Sequence, residues 1–283
     1  MTSAPFLHAL KLGKLVLVLA LGACAGAPAP PAWEARLTGP AIVLLGEVHD
    51  NAVQHRLRVA SLSRAIERGW RPVIAMEQFD VDRQADIDRA RAERPRDAQH
   101  LIDTAAASQG GWNWDFYRPF VALALAHDLP LRAANLPAAQ TRRIVREGQA
   151  AVFDAARLSA LKLDRAPAAD WQAAQEREIA DGHCGALPAR LLPAMASAQF
   201  ARDAVMAELL GREAPHGIVL IAGNGHVRRD LGVPRWLAPP LAARAFSVGY
   251  LEDGQDAPGQ FDAVVVTPAA AREDPCAGLR RTR

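Results

Sequence analysis

Only three cysteines and two tyrosines occur in 283 residues, and aromatic side chains make up 6% of the chain. So few cysteines exclude a small fold held by a disulfide framework. Charge of one sign is also missing, since the formal net charge is +2. Lys11 and Lys14 lie in an N-terminal stretch that holds no acid, and the remainder balances at 31 bases and 31 acids. That balance argues against nucleic acid as a partner, because such proteins carry a strongly basic face. The Arg280 to Arg283 tail reads as a solvated end. There is no dinucleotide-binding glycine fingerprint, no phosphate loop and no internal repeat. With 50% hydrophobic and 23% charged residues, the chain has material for one large α/β domain or two small ones.

The first residues have the pattern of a secretory signal, with Lys11 and Lys14 ahead of an apolar core from Leu15 to Leu21. That core is too short for a permanent membrane span. It ends in Leu21-Gly22-Ala23-Cys24, which resembles the lipobox of bacterial lipoproteins, where Cys24 would be the lipidated residue. Ala25 after the cysteine favours outer-membrane sorting. The expected organisation is a signal peptide over 1–23, a Pro-rich tether over 24–32 and one α/β domain over 33–283. Helical insertions are expected at about 80–130 and 138–212. Cys184 and Cys276 remain; an oxidising compartment permits a disulfide, and their spacing does not decide it.

The chain is organised around Ala41 to Asn51, an apolar run that stops in Glu47, His49, Asp50 and Asn51. Runs of this kind are strands buried on both faces. A helix follows from Ala52 to Arg68, with Leu57, Leu62 and Ile66 expected along its buried face. A second strand ends at Glu77 and Gln78, making a βαβ unit. Polar helices are expected from Asp80 to Ala107, then an irregular aromatic loop from Gly110 to Phe120, then a helix from Phe120 to His127. That loop is either a hydrophobic plug or a ligand wall. A third strand ends at Asn135, and a helical stretch from Ala138 to Gly211 should cap the sheet. A fourth strand, Ile218 to Ala222, ends at Gly223-Asn224-Gly225-His226. Two more strands, Ala243 to Tyr250 and Phe261 to Thr267, flank a turn and are expected to be antiparallel. The fold class is therefore α/β, a mostly parallel sheet flanked by helices with a helical cap over the carboxyl ends of the strands.

Parallel sheets bind ligands beyond those carboxyl ends. Glu47, His49, Glu77 and His226 should converge there. Two histidines and two carboxylates suffice either to hold a divalent metal with an open position or to do acid–base catalysis without one.

The motifs GEVHDN (Gly46 to Asn51) and GNGHVRRDLGVP (Gly223 to Pro234) resemble the haem-binding uptake family typified by the lipoprotein ChaN. That family shares a superfamily with the Tiki metalloproteases, TraB proteins and erythromycin esterases. EQF at Glu77, WNWDFYRPF at Trp112, AANLP at Ala133, HCGALP at His183 and AQFARDAVMA at Ala198 extend the likeness. The resemblance implies a lipid-anchored haem carrier, a homodimer with stacked haems and an outer-membrane haem receptor or transporter as partner. It also implies a tyrosine ligand to the haem iron. Tyr117 lies inside a matching motif and Tyr250 does not; His183 is the alternative axial ligand. Arg118 and Arg202 are candidates for the haem propionates. Met195 and Met206 fit as core. The competing expectation is a metal-dependent hydrolase, with His49 and His226 holding the metal and Glu47 and Glu77 as ligand or base.

Overall fold

The computed structural model describes Met1 and residues 30–106, 111–274 and 276–277. The signal segment, Cys24 and the Arg280–Arg283 tail lie outside the described residues. The elements run β1 (Ile42–Leu45), α1 (Ala52–Glu67), β2 (Val73–Asp80), α2 (Gln84–Glu93), α3 (Ala98–Ala105), α4 (Trp114–Ala126) and β3 (Leu131–Asn135). Then come α5 (Ala138–Glu147), α6 (Ala155–Ala160), α7 (Ala169–Gly182), α8 (Leu192–Glu213), β4 (Ile218–Ile221) and α9 (Asn224–Val227). The chain closes with α10 (Pro239–Ala242), β5 (Ala245–Glu252) and β6 (Ala263–Thr267).

The six strands form one sheet in the order β3-β2-β4-β1-β5-β6. Every neighbouring pair is parallel. Alternation along each strand sends Val43, Leu45, Ile74 and Met76 into one core layer with α1 and α4. Ile42, Leu44, Val73 and Ala75 face the other layer, against Met206, Leu209 and Leu210 of α8. β1 is wholly buried because both its faces are covered. The cap has a core of its own, in which Ile144, Phe153 and Leu161 pack on Phe200 and Val205 of α8.

Three expectations need correction. The last strand pair is parallel, running from Val248 beside Ala263 to Glu252 beside Thr267. The ten residues between them run back along β5, bent at Gly254 and Gly259, both at positive φ. The ring of Phe261 pins this return on Gly249, where a Cβ would sit 2.5 Å from it. The aromatic stretch is not all loop: α4 begins at Trp114, capped by the Asn113 side chain, and carries Pro119 within it. Burying Tyr117 and Phe120 outweighs the proline there. Finally, Leu57 is exposed, and α1 buries Gln54, His55, Arg58 and Ser61 beside Leu62 and Ile66.

Candidate functional site

The carboxyl ends of β1, β2 and β4 open into a cavity of about 840 Å³. Glu47, His49, Glu77, Arg202 and His226 line it, and Glu178 and Gly182 bring the end of α7 over it. The expected convergence of strand ends and cap is therefore present.

The two glycine-histidine motifs interlock, which explains their glycines. A Cβ on Gly46 would lie 2.2 Å from Oδ1 of Asn224, and a Cβ on Gly223 would lie 2.7 Å from the His49 ring. Each motif's glycine thus makes room for a side chain of the other. The Asn224 N–H donates to the Glu47 carbonyl at 2.9 Å, and the Gly223 N–H donates to Oε2 of Glu77 at 2.8 Å.

On the β1 side, Glu47 is fully buried and paired with Arg58, itself fully buried on α1. Tyr117 donates its hydroxyl to Oε1 of Glu47 at 2.5 Å, and Nδ1–H of His49 donates to the same oxygen at 2.8 Å. That bond leaves a lone pair on Nε2 of His49. The His49 side chain is 52% exposed and meets Trp112 edge-on at 4.9 Å. Burial lowers its pKa, helped by the charges of His226 and Arg202 against those of Glu77 and Asp50. His55 accepts from Arg58 at 2.9 Å and donates to the His49 carbonyl at 2.9 Å. Burial pushes it down to about 4, so it is neutral at pH 7.

On the β2–β4 side, Arg202 of α8 donates to Oε1 of Glu77 at 2.6 Å and to Asn135 at 2.9 Å. Nδ1 of His226 lies 2.5 Å from Asp203, and its Nε2 lies 3.3 Å from Glu77. Burial works against the His226 cation, but Glu77 and Asp203 outweigh it and raise the pKa to about 9. Burial works against the Glu77 anion too, yet His226 and Arg202 hold it well below the usual carboxylate range.

These pairings redistribute the expected roles. Glu47, His49, Glu77 and His226 do come together in the lining of one cavity. Among the described residues no group of three or more His, Cys, Asp or Glu side chains could hold a metal ion. The carboxylates face arginines, Glu47 beside Arg58 and Glu77 beside Arg202, and His226 lies between Asp203 and Glu77. Tyr117 is fully buried, and burial raises its pKa. Its hydroxyl faces Glu47. Arg118 is exposed on α4, 3.5 Å from Asp115 and outside the cavity lining. Arg202 lines the cavity floor. His183 is exposed at the end of α7 beside Gly182 and, like Arg118, is outside the cavity lining, its Nδ1 donating to the Ile179 carbonyl at 2.7 Å. Met206 is core as expected. The sequence reading missed Arg58, His55 and Asp203. The available signal was the polar stripe Gln54, Arg58 and Ser61, which lies at core spacing on α1.

A parallel α/β sheet whose strand ends carry two interlocked glycine-histidine motifs defines the class, the Tiki superfamily. Within it, the chain belongs to the haem-binding uptake family of ChaN, whose profile matches residues 33–237. Among solved structures it is similar to ChaN of Campylobacter jejuni, described for cofacial haem binding, at 19% identity and a TM-score of 0.62. The match covers 81% of this chain and 87% of that one. An erythromycin esterase in its open conformation is more distant, at 16% identity and a TM-score of 0.44, covering 85% and 79% of the two chains. The type III effector HopBA1 matches at 10% identity and a TM-score of 0.45, covering 82% and 94%. The comparison with curated proteins returns no match.

Proposed function

We propose that this chain is a haem-binding lipoprotein of the bacterial envelope, taking part in haem or iron uptake or storage. The observation that carries the proposal is the family match over residues 33–237, which spans both cavity floor and cap. The donor set fits haem. Leu251, Ala257 and Phe261 offer apolar wall to the macrocycle, and Arg202, Arg228 and Arg272 offer guanidinium groups to its propionates. His183 is the axial ligand of this reading, one residue beyond Gly182 of the cavity lining, with its Nδ1 bonded to the Ile179 carbonyl. Bound haem would supply an iron with a vacant coordination position. A lipid on Cys24 would hold the domain at the outer membrane facing the periplasm, with the tether giving it reach. A second copy stacking its haem on the first and an outer-membrane haem receptor are the partners this role calls for.

The test is a haem titration of the domain from Trp33 onward, followed at the Soret band, with bound metal assayed on the same preparation. Saturable binding with a shifted band is expected, and His183→Ala should move the band while Tyr117→Phe leaves it in place. A retained divalent metal without a Soret response would replace this reading with a hydrolase. Lipid labelling lost in Cys24→Ala would support the anchor; labelling that persists would remove it.

A further inference from the structure

The family match ends at residue 237, yet one wall of the cavity comes from the far end of the chain. After β6 the chain leaves the sheet edge as a strap. The Pro268 carbonyl accepts from Asn51 at 2.9 Å, and the Ala270 N–H donates to Glu252 at 2.8 Å. Arg272 pairs with Asp50 at 3.0 Å and with Glu252, and it lines the cavity. The strap then reaches Cys276, which forms a disulfide with Cys184, 92 residues earlier. Cys184 follows His183 at the end of α7, with φ at +59°. A non-glycine residue seldom adopts that conformation unless its surroundings hold it there. Both cysteines are half-buried, within reach of a small reductant.

We propose that the Cys184–Cys276 bridge is a thiol-sensitive lock, which ties the C-terminal strap to the cap and so closes one wall of the strand-end cavity. The bridge links the strap, whose Arg272 lines the cavity, to the end of α7, whose Gly182 lines it too. Without it the strap is held by non-covalent contacts such as those of Pro268, Ala270 and Arg272. The Arg272 side chain is 30% exposed, so its ion pairs are screened by solvent. The turn carrying His183 also loses its covalent cross-link to the strap. Unlocking is a two-electron exchange. One thiolate of a dithiol reductant attacks a bridge sulfur and displaces the other cysteine as a thiolate; its second thiol resolves the mixed disulfide. Two protein thiols and one oxidised reductant result.

The lock stands on geometry alone; its consequence for haem rests on the function proposed above. The full chain is digested with trypsin under native conditions, with and without prior dithiothreitol, and cleavage after Arg272 is counted by mass spectrometry after full reduction. Haem transfer to apomyoglobin is timed on the same samples. Reduction is expected to speed the Arg272 cut about tenfold and haem transfer several-fold, with far-ultraviolet circular dichroism unchanged. The Cys184→Ser/Cys276→Ser double variant should behave as reduced protein and ignore dithiothreitol. Two free thiols in untreated protein would overturn the proposal. So would an unchanged Arg272 cut after confirmed reduction, or faster cleavage with unchanged haem transfer. If haem never binds, the preceding function fails while the cleavage result still decides the lock.

Discussion

The two halves of the cavity floor use the same residue types and reach opposite protonation states. On the β1 side one carboxylate, Glu47, meets one fully buried guanidinium, Arg58. That pair is already neutral, and burial outweighs the pull of Glu77 and Asp50 on His49 and of the His49 carbonyl and Asp50 on His55, so both are depressed. On the β2–β4 side two carboxylates, Glu77 and Asp203, face Arg202 and His226. A second cation is needed there, and His226 supplies it with a pKa raised to about 9. What sets a buried histidine's charge is therefore burial weighed against the opposite charges within a few ångströms, and only at His226 do those charges win.

The sharpest way to break this comparison is to remove each arginine. Arg58→Ala strands Glu47 in a dry site and should cost about 3–5 kcal/mol in urea unfolding. Arg202 is 21% exposed, and His226 remains beside Glu77, so Arg202→Ala should cost about 2 kcal/mol. Equal losses would mean that the two halves are not electrostatically different.

The pH dependence of stability should separate them next. His226 binds its proton more tightly folded than unfolded, so its contribution is full below pH 6.5 and is lost as pH rises through about 9. His55 does the reverse: the unfolded chain takes up a proton near pH 6.5 and the folded one only near 4, so stability falls as pH drops through that window. Each limb is expected to be on the order of 2–3 kcal/mol. In unfolding titrations His226→Gln should flatten the alkaline limb and His55→Gln the acid one. A single variant flattening both limbs would show the two clusters to be one coupled unit.

The smallest effect concerns Tyr117. Tyr117→Phe removes one hydrogen bond to Glu47, which keeps Arg58 and His49, and should cost about 1.5 kcal/mol. The loss should shrink in an Arg58→Ala background if both act on the same carboxylate, which a double-mutant cycle would measure.

The sequence by itself determined the strands, the helical cap and the meeting of Glu47, His49, Glu77 and His226. Short apolar runs ending in polar residues encode burial and its limit locally, and parallel strands bring such ends together. It also marked the glycine-histidine motifs, though not that each glycine yields space to the other motif's side chain. Only the tertiary structure decided the rest. Arg58 was not marked by the sequence because a charged side chain at core spacing signals nothing until its carboxylate, eleven residues away on another element, is placed beside it. Glu77 and Arg202 stand 125 residues apart, and Cys184 and Cys276 stand 92 apart. The parallel setting of β6 is seen only in its register with β5, beside which Phe261 packs on Gly249. Periodicity along a chain reports which side of an element is buried, whereas charge states, partners and bridges depend on distances that close only when the whole sheet is assembled.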